Sequence, residues 1–243
     1  MAPDVRVITF NTAGGNPRIT TPQERFPELP FYKEAFAGGT DAPILALQEV
    51  GPAQAKALER AHGTVTVLQK RRPGLGDALV IPVRYELVAH AAGYYVAPQL
   101  RGVAHALRHR RRNWRQYGEL RMWIEARLRD TAAGRELTVL TTHTSADGDL
   151  KVPQIAAVVR RALATGTPTL LAGDFNVPTG RRGGLDVPAG HHLARLPDVA
   201  SARERIDYVL AHGFEPVSAR ARTDLLERRI SDHAPEDVVV SYG

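Results

Sequence analysis

The stretch Leu170-Leu171-Ala172-Gly173-Asp174-Phe175-Asn176 decides the fold that we expect for this chain of 243 residues. The apolar run over 168–172 predicts a buried strand, and a carboxylate and a carboxamide follow at its C-terminal end. Gly173 allows the backbone to bend there without a side-chain clash. Because side chains two positions apart on an extended segment point the same way, Asp174 and Asn176 can address one ligand together.

The chemistry of this pair suits a phosphate that is attacked by water. Asp174 supplies a proton acceptor, and Asn176 supplies an NH₂ donor that carries no charge to repel an anion. The same Asp-x-Asn pattern is also typical of an Asx turn ahead of Pro178 that has no catalytic role. Other parts of the chain must therefore decide between these two interpretations.

The composition limits the classes of protein to which the chain can belong. A net charge of +6 and a sequence pI of about 9.9 indicate polyanionic partners. The absence of cysteine excludes disulfides and thiolate metal sites. Neither an apolar run of transmembrane length nor a signal peptide is visible, so we expect a cytoplasmic monomer, secreted only if a signal peptide has been removed.

The pattern of apolar residues predicts more strands than helices, with the helices scattered between the strands. We expect strands over 5–10, 43–48, 64–69, 78–81, 86–92, 121–128, 137–142, 168–172, 206–210 and 237–241. Helices are expected over 31–36, 52–62 and 152–164, and surface loops over 98–118 and 178–192. One α/β domain over residues 1–243 with two layers of sheet is the economical interpretation.

Polar side chains of the types that bind ligands recur at the C-terminal ends of the predicted strands. They are Asn11, Glu49, His143, Asp174 with Asn176, Asp207 and the pair Asp232-His233. Each has a structural explanation when taken singly, such as a loop turn for Asp232-His233 or a helix-start carboxylate for Glu49. Six such ends in one domain predict a single mouth at which the strand ends converge.

At this point the sequence resembles the endonuclease/exonuclease/phosphatase superfamily, whose motifs occur here in the family's order. The matching stretches are Phe10-Asn11, Leu47-Gln48-Glu49-Val50, Thr142-His143-Thr144, Gly173-Asp174-Phe175-Asn176, Arg205-Ile206-Asp207-Tyr208 and Ser231-Asp232-His233. The resemblance implies the deoxyribonuclease-I-like fold, a four-layer α/β sandwich of two mixed β-sheets packed face to face with helices outside. It also implies Mg²⁺-dependent hydrolysis of a phosphoester by a metal-dependent phosphoric ester hydrolase.

The resemblance further implies a role for each of these residues. Glu49 would be the main Mg²⁺ ligand, supported by Asn11 and Asp232, and Mn²⁺ is a possible substitute. Asp207 would pair with His233, which becomes the candidate to deprotonate the attacking water, and Asp174 would hold or share that proton. Asn176 and His143 would bind phosphate oxygens. The catalytic set is then His143, Asp174, Asn176, Asp207 and His233.

Two observations bear on the subgroup. The apurinic endonucleases of the family lack a histidine at the position of His143, whereas the deoxyribonuclease-I-like, sphingomyelinase-like and inositol-phosphatase-like members have one. The family often has Gly-Asn ahead of the strand at 78–81, where this chain has Gly76-Asp77. This departure concerns the substrate and leaves the expected chemistry intact.

A basic segment over 108–115 bears on the substrate, because arginines interleaved with a tryptophan suit phosphate contacts and base stacking. Arg110, Arg111 and Arg112 are the expected substrate-binding residues of this segment. We therefore expect a nuclease acting on DNA or RNA. The alternatives are a phosphatase or phospholipase-type phosphodiesterase acting on inositol phosphates, phospholipids or another small phosphoester, a solvated loop without a partner, and a catalytically silent binding module.

Overall fold

The apolar runs of the sequence become the strands of two mixed β-sheets in the computed structural model of the chain. The structure describes residues 3–12, 27, 29–97, 100, 104, 108, 120–177, 194–195, 206–223, 231 and 233–243. Within this part, the first sheet has the strand order β11-β12-β1-β2-β4-β3 and the second the order β5-β6-β7-β8-β10-β9.

The strands of the first sheet are β1 (Val5–Asn11), β2 (Ile44–Val50), β3 (Val65–Arg72), β4 (Leu75–Ile81), β11 (Phe214–Ala221) and β12 (Glu236–Tyr242). Those of the second are β5 (Tyr85–Tyr94), β6 (Met122–Asp130), β7 (Arg135–His143), β8 (Thr169–Asp174), β9 (Ala194–Arg195) and β10 (Asp207–His212). β1 pairs with β2 and β7 pairs with β8 in parallel, and the other pairs are antiparallel, so both sheets are mixed.

Three α-helices have defined bounds in the described part of the chain: α1 (Pro30–Phe36), α2 (Pro52–His62) and α3 (Gly148–Leu163). α2 has proline in its first turn, where a missing N–H costs nothing, and ends at Gly63 in the left-handed conformation, with φ 64°. No helix among the described residues combines the length and the apolar character that crossing a bilayer requires.

Three apolar layers separate the sheets and helices, and β8 shows how the sequence produces them. Leu170 and Ala172 point into the layer between the two sheets, while Leu171 points into the layer beneath α3. The third layer joins the first sheet to α1 and α2 and includes Phe10 and Phe31. Because β8 is buried on both faces, it is a continuous apolar run rather than an alternating one. The fold is the four-layer α/β sandwich predicted from the resemblance.

Several boundaries differ from the predictions. β11 was not predicted, since it is an exposed edge strand with charged residues and a proline instead of an apolar alternation. α3 begins at Gly148, ahead of the predicted start at 152, so Pro153 lies inside the helix and not in its first turn. Positions 100, 104 and 108 of the predicted loop over 98–118 are helical. The predicted loop over 178–192 lies outside the described residues.

Candidate active site

The sheet register brings three of the predicted residues side by side at one edge of the second sheet. Asp174 is the last residue of β8, and its register partners are His143 on β7 and Asp207 on β10. Asp207 is the first residue of β10 and not, as predicted, at a C-terminal strand end. It still reaches the same edge because β10 runs antiparallel to β8.

The carboxylate of Asp174 connects the two sheets. Its Oδ2 accepts a hydrogen bond of 3.0 Å from Nδ2 of Asn11, which is the last residue of β1 in the first sheet. The same oxygen lies 3.5 Å from Nε2 of His143 and 4.0 Å from Nδ1 of His233. The side chain of Asp174 is buried, so these contacts are made away from bulk water. The four residues form one cluster across the inter-sheet mouth.

Burial raises the pKa of Asp174, the negative charge of Asp207 raises it further, and His233 and Asn11 lower it. The result is a pKa of about 7, against an ordinary value of 3.8. A carboxyl group with such a pKa can hold or release a proton near neutral pH, which is what a proton-sharing group needs.

A second carboxylate orients His233. Nδ1 of His233 lies 2.7 Å from Oδ2 of Asp207, a short hydrogen bond between partly buried side chains. The backbone N–H of His233 also donates to Oγ of Ser231, whose hydroxyl donates to the backbone oxygen of Asn11. The ring is therefore held at Nδ1 and the backbone at Ser231, and Nε2 is the nitrogen that faces away from Asp207.

Asn176 follows β8 in a left-handed conformation with φ 52°, so the prediction that it continues an extended segment is wrong. Its backbone N–H donates to Oδ1 of Asp174 at 2.9 Å, which is the Asx turn considered for this pattern. The Nδ2 group of Asn176 donates to the backbone oxygen of Thr144. Nζ of Lys151 donates to the backbone oxygen of Asn176. The Asx turn thus holds the backbone of Asn176 against Asp174, while its carboxamide is held by Thr144.

Glu49 also has a left-handed backbone, with φ 56°, at the register shift between Leu47 and Val50 of β2. Its backbone N–H donates to Oδ1 of Asp77, and its Oε1 accepts from Nη2 of Arg71 at 3.3 Å. Glu49 and Asn176 are the non-glycine residues with positive φ in the described part of the chain. Such backbone strain is typical of functional sites, where surrounding contacts hold it in place.

Its surroundings favour the neutral form of the His143 imidazole. Burial lowers its pKa well below the ordinary 6.5, and the positive charges of Arg121, Arg71 and His233 lower it further. A neutral ring carries one N–H donor and one bare nitrogen acceptor, so it can donate one hydrogen bond toward an anion without carrying a charge.

The residues present fit a divalent cation. The carboxylate of Glu49 and the carboxamide of Asn11 are hard oxygen donors of the kind that Mg²⁺ prefers. Separately, the ligand atoms of Asp174, Asp207 and His233 lie within 4.8 Å of one another, a spacing that also suits a metal ion. The third predicted metal ligand, Asp232, and the predicted substrate-binding residues Arg110, Arg111 and Arg112 lie outside the described residues.

The structure also places residues at the site that the sequence analysis did not assign to it. Arg71 contacts Glu49 and His143, and Lys151 contacts Asn176. Asp77, noted above only as a departure from the family pattern, lies 4.0 Å from Nδ1 of His143. Arg71 and Arg72 are the last two residues of β3, and only Arg71 is buried, so nearness to the strand end does not distinguish the residue that enters the site.

Comparisons with known proteins agree with the fold. The sequence model of the Endonuclease/Exonuclease/phosphatase family matches residues 8–233. No curated protein sequence matches the chain. Among solved structures, an endonuclease/exonuclease/phosphatase from Bacteroides vulgatus is similar with a TM-score of 0.74 and 18% identity, covering 99% of this chain and 100% of that one.

Two further solved structures have the same fold. D. rerio TDP2 complexed with single strand DNA product has a TM-score of 0.69 and 17% identity, covering 98% of this chain and 99% of that one. The Bacteroides thetaiotaomicron mannosyl-6-phosphatase has a TM-score of 0.69 and 14% identity, covering 98% and 100%. At these identities the likeness concerns the fold.

Proposed function

The chain belongs to the endonuclease/exonuclease/phosphatase family of divalent-metal-dependent phosphoester hydrolases, and within it we propose a Mg²⁺-dependent nuclease that hydrolyses phosphodiesters of DNA or RNA. One observation carries the proposal. The buried carboxylate of Asp174 is surrounded by a carboxamide and two imidazoles drawn from both sheets. This is a set of donors and acceptors suited to moving one proton beside one phosphate.

The Asp207–His233 pair supports activation of the attacking water. The Asp207 carboxylate accepts the Nδ1 proton at 2.7 Å, which leaves the lone pair of the neutral ring on Nε2. That nitrogen accepts a proton from water as the oxygen attacks phosphorus, and Asp207 stabilises the resulting imidazolium. Asp174, whose Oδ2 lies 4.0 Å from Nδ1 of His233, adds a second negative charge that stabilises the imidazolium, and its pKa near neutrality suits it to hold a proton in the site.

Asn176 and His143 supply the donors for the phosphate oxygens. The Nδ2 group of Asn176 has two hydrogens, and one of them is committed to the backbone oxygen of Thr144. The second hydrogen is left for a non-bridging phosphate oxygen. His143 donates from the other side of Asp174 as negative charge accumulates on the phosphate.

Glu49, Asn11 and Asp232 are the residues that we propose to hold the cation, with Mn²⁺ as a possible substitute for Mg²⁺. The cation, when bound, neutralises negative charge on the phosphate and on the leaving oxygen. The carboxylate of Glu49 is 21% exposed, so it is accessible from the mouth although its neighbours are buried.

The choice of nucleic acid rests on charge. The net charge of +6 and the basic segment with Arg110, Arg111 and Arg112 favour a polyanionic substrate. Solved structures of this fold include one with a single strand DNA product and one of a mannosyl-6-phosphatase, so both substrate classes occur on it. A small phosphomonoester is accordingly the second candidate substrate.

A substrate comparison tests the proposal. Plasmid DNA, RNA, an inositol phosphate and a sugar phosphate are incubated with the protein and Mg²⁺, with Asp174→Asn as the matched inactive variant. We expect cleavage of DNA or RNA that Asp174→Asn lacks. Release of phosphate from the small phosphoesters alone would make the protein a phosphatase. Absence of turnover on all four would indicate a silent binding module and contradict the proposal.

A further inference from the structure

Arg71 is a buried arginine in the floor of the site, and its side chain is only 2% exposed. It lies at a register shift of β3, where Lys70 pairs with Gly76 and Arg72 pairs with Leu75. Such a bulge redirects a side chain away from the regular alternation of the strand. Here it turns the guanidinium toward His143 and Glu49, whereas Arg72 remains exposed.

The contact with His143 determines which ring nitrogen carries the proton. Nη1 of Arg71 lies 3.3 Å from Nδ1 of His143. A guanidinium has donors only, so Nδ1 must accept, and a proton on Nδ1 would face an N–H of Arg71 directly. The competing partner for a protonated Nδ1 is Oδ1 of Asp77, which at 4.0 Å is beyond hydrogen-bond distance.

We propose that Arg71 is a positioning residue that holds the ring of His143 with a bare Nδ1 and a protonated Nε2. The protonated nitrogen then faces the mouth, where Nε2 lies 3.5 Å from Oδ2 of Asp174. In this state His143 donates from Nε2 and cannot serve as a general base there. Its one lone pair on nitrogen is occupied by Arg71.

The same arginine links this donor to the proposed cation ligand. Nη2 of Arg71 donates to Oε1 of Glu49 at 3.3 Å while Nη1 contacts His143. A planar guanidinium fixes the separation of these two groups more rigidly than an ammonium would. Lysine in place of Arg71 keeps the charge but has one donor nitrogen in place of the fixed pair Nη1 and Nη2, so the activity of Arg71→Lys should lie between those of the wild type and Arg71→Met.

Nitrogen NMR of the imidazole rings in the metal-free protein tests the proposal without any turnover. The signals of His143 are identified by their loss in His143→Gln. In the wild type we expect a pyridine-like Nδ1 and a pyrrole-like Nε2 for this ring. In Arg71→Met the proton should move to Nδ1, at least in part, and in the control Arg72→Met the wild-type pattern should remain. A protonated Nδ1 in the wild type would overturn the proposal, and so would a ring unaffected by Arg71→Met.

Kinetics provide a second test that rests on the proposed function. Loss of one well-placed donor costs about 10²–10³-fold in kcat, so Arg71→Met should lower kcat by up to this factor with a smaller change in KM. Added to His143→Ala and measured at saturating Mg²⁺, where a weaker hold on Glu49 is compensated, it should cause little further loss in kcat. Losses that multiply would contradict a role through His143. Absence of turnover in the wild type would overturn the proposed function while leaving the NMR result to decide the tautomer.

Discussion

At the scale of single residues, the candidate site is built from residues that are each held by several polar contacts. Asp174 is contacted by three side chains from both sheets, and Asn176 is fixed through its backbone N–H, its carboxamide and its carbonyl. Rigid positioning of this kind lets donors and acceptors meet a transition state without reorganising.

The first prediction concerns the Asp207–His233 pair. His233→Ala should lower kcat by about 10²–10⁴-fold, the usual contribution of a general acid or base. Asp207→Asn acts through the ring, so the double variant should be little worse than His233→Ala alone. Steady-state kinetics of the four proteins provide the measurement, with exposed His90→Ala as the control. Losses that simply multiply would show that the two residues act independently.

At the scale of elements, β8 is the central part of the candidate site because both its neighbours place a proposed catalytic residue in register with Asp174. Gly173, immediately before Asp174, has φ 156°, and a Cβ at this position would overlap the backbone oxygen of Thr142 on β7. Only glycine allows β7 and β8 to approach closely enough to place His143 beside Asp174.

The second prediction follows from this close approach. Gly173→Ala should lower the free energy of unfolding by at least ~3 kcal/mol or abolish folding, because a backbone oxygen cannot move aside as a flexible side chain can. Gly166→Ala is the control, since its φ of 72° is also left-handed but a Cβ there meets nothing within 4 Å. It should cost about 1 kcal/mol. Urea denaturation measures both, and equal losses would contradict the steric explanation.

The elements also show what can be predicted from the sequence and what cannot. Strands such as β6 were predictable because apolar residues alternate along them. β8 was predictable because a strand that is buried on both faces has a continuous apolar sequence. Motifs beside such strands were also enough to predict that Asn11, His143, Asp174 and His233 lie close together. The position of the Arg71 side chain could not be predicted, because it depends on a bulge in β3. That bulge arises from the pairing of β3 with β4 and has no signal in the local sequence. The left-handed backbone of Glu49 has the same origin.

At the scale of the whole molecule, an ion pair far from the site joins the two sheets to the start of the chain. Arg84 and Asp130 form two hydrogen bonds, of 2.9 Å and 2.6 Å, with side chains that are 5% and 0% exposed. Arg84 also donates to the backbone oxygens of Pro3 and Asp4, and Tyr242 of β12 donates to Asp130. Removing one member leaves the other buried and uncompensated.

The third prediction is that Asp130→Asn lowers the free energy of unfolding by about 3–5 kcal/mol at neutral pH. Burial raises the pKa of Asp130, but the hydrogen bonds and charge of Arg84 outweigh it and the net shift is downward. The stabilisation is therefore complete above the ordinary pKa of 3.8 and is lost as the pH falls below it. Denaturation across a pH series should show that the free energies of unfolding of the wild type and Asp130→Asn become equal at acidic pH.

The exposed pair of Glu86 on β5 and Arg129 on β6 is the control for this prediction. Its side chains are 58% and 50% exposed, so Glu86→Gln should change the free energy of unfolding by about 1 kcal/mol or less. A gap between wild type and Asp130→Asn that stays constant down to the lowest pH would contradict the assigned pKa shift.

The fourth prediction concerns the charge distribution and the choice of substrate. Replacing Arg110, Arg111 and Arg112 by glutamine should mainly raise KM for nucleic acid, because such charges bind substrate and transition state alike. The log–log slope of affinity against salt should flatten by about 0.7–0.9 for each phosphate that the protein no longer neutralises. The triple glutamine variant of Arg60, Arg127 and Arg129 removes the same charge and is the control. If the variant of Arg110, Arg111 and Arg112 cleaves DNA and RNA normally across the salt series, the basic segment does not bind the substrate and is only a solvated surface.

The most direct test of metal-dependent hydrolysis at this site is the rate of phosphodiester cleavage as a function of Mg²⁺ concentration, for wild type and Glu49→Gln. We predict no activity in excess chelator, recovery with Mg²⁺ or Mn²⁺, and a requirement for at least about 10-fold more cation in Glu49→Gln. Exposed Glu59→Gln, which removes the same charge from α2, should behave as the wild type. Full activity in excess chelator, or a wild-type metal dependence in Glu49→Gln, would contradict the assignment of the site.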